Sequence, residues 1–408
     1  MKIFNRKLKI TSFALLTLCM VFVMTACAEN SSQSEKSQPA EQTTVQPTTM
    51  SAEEINDRKL DKFISDMTLE EKVGQMFFVR CPDEDAVQQV SKYNIGGYIL
   101  FGRDFDGKTK DEVVDDIHSY QNEADIPLLI GVDEEGGTVV RVSSNPNLRE
   151  TPFLSPKDTY ADGGWDAVKQ DAEEKADLLL SLGINVNLAP VCDMTSDEYG
   201  FMYDRSFSSD VDMENRYVRT VVETSKSKKL GTVLKHFPGY GNNSDTHTGI
   251  AYDDRDYSEF ENTDFKPFYQ GIESGADCIL VSHNIVNCMD SEYPASLSQK
   301  VHDILRNEFK FDGVIMTDDL IMDAITDFTG DEAAAVTAAK CGNDLLCCSS
   351  VDTQYPAVLE AVQNGEIPET QVDASVKRIL KWKQNLAIFN IDTYQKKVRT
   401  TDPTDATE

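Results

Sequence analysis

The chain's 408 residues carry 70 Asp and Glu against 39 Lys and Arg, a formal net charge of −31 at pH 7. So acidic a surface repels phosphate backbones and argues against a nucleic-acid partner. The length accommodates one large barrel or two ordinary domains, and no second Pro/Gly/Ser-rich linker cuts the central part.

Lys2, Arg6, Lys7 and Lys9 precede an apolar stretch from about Phe13 to Met24, followed by small residues and Cys27, the pattern of an export signal. The stretch falls short of the roughly 20 apolar residues that a membrane-spanning helix needs. Met24-Thr25-Ala26-Cys27 resembles a bacterial lipobox, with Met in place of the commoner Leu, which implies cleavage before Cys27 and diacylation of that residue. The alternative is an ordinary cleaved signal. Two acyl chains on one residue hold a protein firmly at a membrane surface. Residues 1–26 are therefore read as a lipoprotein signal peptide and 27–50, rich in Ser, Gln, Thr, Glu and Pro, as a disordered tether. On this reading the protein is exported and lipid-anchored on the outer face of the cytoplasmic membrane. A folded domain over 51–395 and a polar tail over 396–408 complete the chain.

Within the domain, helix starts are legible at Ser51-x-x-Glu54 and Thr68-x-x-Glu71, capping boxes in which hydroxyl and carboxylate satisfy the first free amides. Apolar runs read as strands follow over 73–79, 95–101, 127–133, 184–191, 231–236, 278–282, 313–317 and 344–349. Helical stretches lie between most of them, over 112–123, 167–182, 217–228, 265–275, 300–309 and 331–340, while the first crossover, between Val79 and Ile95, is short. Alternating strands and helices call for parallel pairing, because each parallel return needs a crossover. Eight such units predict an α/β architecture, a (β/α)8 TIM-like barrel forming a single domain. Of the nine Cys, Cys19 leaves with the signal and Cys27 is the anchor, so an odd number remains for disulfide pairing. Cys192, Cys278, Cys347 and Cys348 sit in apolar runs as small hydrophobes. Adjacent Cys347 and Cys348 would face opposite sides of a strand, so no metal site is expected.

Polar residues cluster where these strands end. Asp133 closes IGVD, Lys235 and His236 close TVLKH, His283 follows CILVS, and Asp318 follows GVIMT. In a barrel those ends converge on one face, where active sites are built. The window from Lys235 to Gly249, KHFPGYGNNSDTHTG, holds two of the five His, and Asp245 stands two residues before His247. A His beside an Asp can be held in one tautomer and tuned near neutral pH, which suits proton transfer. Asp318 could attack an anomeric carbon, whereas Asp319 could equally cap the next helix. Asp133-Glu134-Glu135-Gly136-Gly137 with Arg141 could clamp sugar hydroxyls, or be a solvated turn with a surface ion pair. Arg205 is ambiguous by itself. The Gly136-Gly137 turn lacks the spacing of a phosphate cradle, which argues against nucleotide binding. His283 reads as a satisfied core residue, and His118 and His302 as surface or packing residues on helices.

Together MTLEEKVGQM, GGYILF, VDEEGGTVVR, DRSFS, KHFPGYG, DTH and TDDLIMDAI resemble glycoside hydrolase family 3, in its β-N-acetylhexosaminidase branch. The blocks run in the family's order from Met67 to Ile325. The resemblance implies a retaining, two-step mechanism, with Asp318 as nucleophile, His247 as general acid/base and Asp245 as its dyad partner. It also implies sugar binding by Asp133, Arg141, Arg205, Lys235 and His236, no metal and no organic cofactor. Departures stand at Glu134, where the family commonly has Gln, at Tyr240, where it has His, and in the loop between Gly241 and Asp245, which is shorter. Many members carry a second domain; too few residues follow the last strand for one here, so the barrel's own loops are expected to complete the site. The expected substrate is terminal β-linked N-acetylglucosamine on an amino-sugar glycan or muropeptide, handled by a monomer. The rivals are a β-glucosidase or xylosidase of the same family and a non-catalytic sugar-binding lipoprotein, which should show two doubly wound halves and a hinge.

Overall fold

A computed structural model of the chain describes residues 50–397, except 242, 244, 245, 247, 248 and 330 and the side chains of 331 and 332. The expected signal peptide, Cys27 and nearly all of the tether, the tail from 398 onward, and both Asp245 and His247 therefore lie outside the described residues.

Among the described residues eight strands form the barrel sheet, in chain order β1 (Phe77–Arg80), β2 (Gly97–Leu100), β3 (Leu129–Val132), β4 (Val186–Asn187), β5 (Gly231–Phe237), β6 (Cys278–Val281), β7 (Val314–Thr317) and β8 (Leu346–Cys348), and Tyr252–Asp253 pairs with Ile285–Val286 outside it. Each pairs in parallel with the next from β1 to β7, and β8 pairs in parallel with β1 through Phe77 and Leu346. A bridge between Met316 and Leu345 joins β7 to the approach of β8 and closes the ring. This is the expected (β/α)8 barrel.

Successive side chains on a strand face opposite sides. Phe78, Ile99, Leu129, Val233, Leu280 and Met316 face inward as one buried cluster, whose floor is plugged by Ile379 and Trp382 of the helix Glu369–Asn385. Their neighbours Phe77, Val79, Tyr98, Leu100, Ile130 and Val132 pack outward against the helices. The same alternation sends Cys347 inward and Cys348 outward. The inward parity runs on to the carboxyl rim, from Leu129 and Gly131 to Asp133 just past β3, from Val233 to Lys235 within β5, and from Val314 and Met316 to Asp318 just past β7. Three polar side chains are thereby delivered to the carboxyl rim by the same rule that builds the core.

Both expected capping boxes form. Ser51 Oγ accepts the Glu54 N–H at 3.1 Å while Glu54 accepts the Ser51 N–H at 2.7 Å, and Thr68 and Glu71 do the same at 3.2 and 2.9 Å. The first strand begins later than expected, because Val73, Gly74 and Gln75 finish the helix Leu69–Gln75 that Thr68 starts. Gly74 lets that helix lie against the next segment, since a Cβ there would stand 2.1 Å from the Tyr93 carbonyl oxygen. The short first crossover holds a helix, Ala86–Tyr93. Two expected helices differ in detail: one extends over Pro156–Ser181 with a break at Gly163 and Gly164, and another divides into Gln299–Asp303 and a π turn at Ile304–Glu308.

Interior space is tight enough to forbid single methyl groups. A Cβ at Gly97 would stand 2.2 Å from the Leu129 carbonyl oxygen across the β2–β3 pair. Backbone cannot retreat there without breaking the ladder, so Gly97→Ala is expected to cost about 1–3 kcal/mol. The measurement is the urea midpoint at unchanged slope.

Candidate active site

The carboxyl rim encloses a cavity of about 580 Å³ lined by Asp133, Glu135, Arg141, Arg205, Lys235, His236 and Asp318, among others. Pockets of this size suit small ligands. A smaller hollow of about 250 Å³ between Phe63, Ile126 and Tyr394 holds none of these groups.

One wall of the cavity is a buried lattice of charges. Lys235 Nζ donates to Asp133 Oδ1 at 2.6 Å and pairs with Glu135 Oε1 at 2.6 Å. Arg205 Nε and Nη2 donate to the two oxygens of Glu135 at 2.9 and 2.8 Å, a bidentate fork. Lys235 is 2% and Glu135 3% exposed, so each charge persists there only because its partners neutralise it. Burial alone would raise the Glu135 pKa, yet Lys235 and Arg205 hold it well below the usual carboxylate range. Burial likewise opposes the Lys235 ammonium, and Asp133 and Glu135 outweigh it to raise its pKa.

His236 joins this lattice through Arg205 Nη2, 3.2 Å from its Nε2. A guanidinium can only donate, so Nε2 accepts, and Nδ1 carries the proton that faces Asp193 Oδ2 at 2.7 Å. Asp193 also accepts the backbone N–H groups of His236 at 3.0 Å and Tyr240 at 2.7 Å. The turn beginning at Asp133 is held from beneath by Glu134, whose carboxylate accepts the N–H groups of Arg141 at 2.9 Å and Val142 at 2.7 Å, with the Ser143 hydroxyl as a further donor. Glu134 is thus buried scaffold, a carboxylate that accepts all of those donors at once. The solvated-turn reading of 133–137 does not hold, because Glu134, Glu135 and Gly136 are buried and Asp133 is largely so, with Gly137 alone of the five exposed.

On the opposite side, Asp318 follows β7 and its Oδ1 accepts the Asp319 N–H at 2.9 Å. Asp319 accepts the Ile321 N–H at 3.2 Å and the Ser349 hydroxyl at 2.5 Å, a turn-forming role ahead of the helix Asp323–Thr329. Burial raises the Asp319 pKa. His283 is a buried residue bonded on both sides: Nε2 lies 3.0 Å from the Asp319 carbonyl oxygen and Nδ1 2.7 Å from Ser296 Oγ. It buttresses the turn that carries Asp318. His302 is buried in a helix and His118 exposed on one.

The fold thus brings Asp133, Arg141, Arg205, Lys235, His236 and Asp318 to one cavity, while Asp245 and His247 fall outside the described residues. Sequence reasoning missed Glu135, Asp193 and Arg80. Asp193 ends the VNLAPVCD segment after β4, so the strand-end rule that picked Asp133 could have found it. Arg80 directly follows the expected first strand, so the same rule could have found it; it closes β1 and its guanidinium lies 4.4 Å from the Phe101 ring centroid.

A parallel eight-stranded barrel with a charged cavity at its carboxyl rim and a carboxylate at the end of β7 has the architecture on which barrel enzymes build their active sites. Comparison with known proteins narrows this. A family model described as the glycosyl hydrolase family 3 N-terminal domain matches residues 68–382. The beta-hexosaminidase of Nitrosomonas eutropha is 32% identical over 273 residues, covering 65% of this chain and 77% of that protein. Beta-hexosaminidase LpqI of Mycobacterium tuberculosis is 31% identical over 331 residues, covering 77% and 82%. Among solved structures, a family 3 beta-N-acetylglucosaminidase from Paenibacillus sp. str. FPU-7 superposes with a TM-score of 0.74 at 29% identity, over 84% of this chain and 66% of that one. The chain belongs to glycosyl hydrolase family 3, in its β-hexosaminidase branch, and is a glycoside hydrolase.

Proposed function

We propose that the protein is a retaining exo-β-N-acetylhexosaminidase that removes terminal N-acetylglucosamine from cell-wall fragments. The observation that carries this reading is the cavity itself, where a lattice of donors and acceptors suited to sugar hydroxyls stands across from the Asp318 carboxylate. In the first step Asp318 attacks the anomeric carbon as the glycosidic bond breaks, and His247 gives its proton to the leaving oxygen. In the second step His247 takes a proton from water, which displaces the Asp318 ester and releases the sugar with its β configuration retained. Asp245 holds the His247 ring. These roles for Asp245 and His247 rest on the DTH motif and the family.

Arg80 and Arg141 support an acidic glycan as substrate. Both line the cavity beside Phe101, and the Nε of each is buried with no partner among the described residues. A carboxylate on the group beyond the scissile bond, such as the lactyl ether of a muramyl residue, would satisfy them. The lipid anchor at Cys27 and the position outside the cytoplasmic membrane remain part of this proposal on sequence grounds alone.

The test is a panel of aryl glycosides with the purified protein. Hydrolysis of the N-acetyl-β-glucosaminide should exceed that of the β-glucoside and β-xyloside by about 10²-fold or more, since a site built for the acetamide leaves polar groups unpaired without it. Faster glucoside hydrolysis would reassign the substrate, and sugar bound without release would point to a binding protein.

A further inference from the structure

We propose that a second pocket, at the amino ends of β7 and β8 and away from the carboxyl rim, binds a phosphoryl dianion, either inorganic phosphate or a phosphate monoester. The pocket is a hollow of about 220 Å³ between residues 299–308, the turn at Gly342 and the helix Glu369–Asn385. The charged groups in its lining are Arg306, Lys340, Asp344 and Arg378. Asp344 stands two residues ahead of β8 and accepts the N–H of Ile315 in β7 at 2.9 Å, which places the hollow. Burial lowers the pKa of His302, which also lines it, so that ring is neutral near pH 7.

Three cations and one carboxylate around a hollow reverse the sign of a chain whose net charge is −31. Asp344 is 1% exposed and shared: Oδ2 accepts from Arg306 Nη2, while Oδ1 accepts from Arg378 Nη1 at 2.9 Å and from the Ser375 hydroxyl at 2.8 Å. One carboxylate neutralises only one of the two guanidiniums. Burial lowers the Arg306 pKa, Asp344 counters it, and Arg378 lowers it further, so the pair of cations carries a cost that an anion would relieve. Lys340 adds a third charge at the mouth. Its ion pair there is with Glu366 at 2.5 Å, and with the two side chains 42% and 54% exposed it is weak enough to exchange.

The spare donors show which anion fits. Arg306 spends Nη1 on the carbonyls of Phe311 and Gly313, both at 2.7 Å, and is thereby fixed in place. Arg378 spends Nη1 alone, so Nε and Nη2 have no hydrogen bond among the described residues. Those two N–H groups form one parallel edge, which matches two oxygens of a single phosphoryl or carboxylate group. Charge decides between them. Three positive charges less that of Asp344 leave +2 in the lining, and a phosphoryl group carries about −1.5 to −2 near pH 7 on three acceptor oxygens. A carboxylate supplies half of that charge and no third oxygen for Lys340. At about 30 Å³ for each water-sized group, the hollow holds roughly seven such groups, room for a phosphate with a short ester stem.

The experiment titrates the protein with inorganic phosphate, and separately with glycerol 3-phosphate, at constant ionic strength and pH 7.5, following ³¹P line width and thermal midpoint. Saturable binding is expected for at least one of them, with a Kd on the order of 1 mM. Tighter binding of the ester assigns the site to an esterified phosphate and the reverse order to the free ion. Arg378→Gln should weaken that binding by about 10-fold or more, since it removes the free guanidinium edge while Asp344 keeps Arg306 and Ser375. Lys340→Gln, at the exposed mouth where folding is not at stake, should weaken it by about 3-fold. Because the carboxyl-rim cavity also holds cations, the response of Arg378→Gln is what locates the binding. A midpoint that rises without saturation and equally in parent and Arg378→Gln reflects exclusion of phosphate from the surface and would overturn the proposal. So would saturable binding that both variants leave unchanged.

Discussion

Asp318→Asn is expected to lower kcat by about 10³-fold or more on an aryl N-acetyl-β-glucosaminide while leaving the fold intact. The amide matches the carboxylate in size, and its oxygen still accepts the Asp319 N–H that Asp318 accepts at 2.9 Å. What it lacks is the charge and lone pair that the proposed attack on the anomeric carbon requires. Asp319→Asn is the matched control, because the Asp319 carboxylate is engaged with Ile321 and Ser349. It should cost less than about 10-fold in kcat, through disturbance of the turn. Azide supplied to Asp318→Ala should restore turnover and give the α-glycosyl azide, the product of direct attack on a β-glycoside. Turnover of Asp318→Asn within 10-fold of the parent would remove the nucleophile from this residue.

Glu135→Ala carries the second large effect, on stability. It leaves the Lys235 ammonium and the Arg205 guanidinium facing each other in a buried site, with Asp133 as the carboxylate still bonded to Lys235. Removing one partner of a buried ion pair costs about 3–5 kcal/mol. The pH dependence follows from the direction of the Glu135 shift. Its folded pKa is depressed, so its stabilisation is fully present above the unfolded value of roughly 4.3 and is lost as pH falls below it, towards the folded value. The deficit of Glu135→Gln relative to the parent should therefore be constant near neutral pH and shrink below about pH 4. Urea midpoints at a series of pH values measure it. A deficit that grows on acidification would contradict the geometry of the lattice.

The two variants probe opposite walls of one cavity, and those walls differ in how legible they were beforehand. Asp133, Lys235 and Asp318 could be found because each continues the inward parity of an apolar strand by one step, a rule that needs no tertiary information. Glu135 shares its run with Asp133 and was passed over, because nothing local distinguishes a carboxylate that meets two cations from one that meets water. Glu134 misled in the other direction: it reads as part of a sugar clamp or a solvated turn, yet it lies beneath the site and holds backbone amides. Arg80 stands directly after the expected first strand, as Asp318 stands after its own, and was passed over although the same rule covers it.

The apolar periodicity, the capping boxes and the strand-end polar residues by themselves determined a parallel barrel, its active face and the strand-end groups Asp133, Lys235, His236 and Asp318, since these follow from local rules of alternation and crossover. Only the tertiary structure decided which charges pair. Lys235 meets Asp133 across 102 residues of chain, Arg205 meets Glu135 across 70, and His236 meets Asp193 across 43. Ring closure sets those distances to hydrogen-bond length and removes the water that would otherwise screen them, so partner choice and strength are properties of the closed barrel.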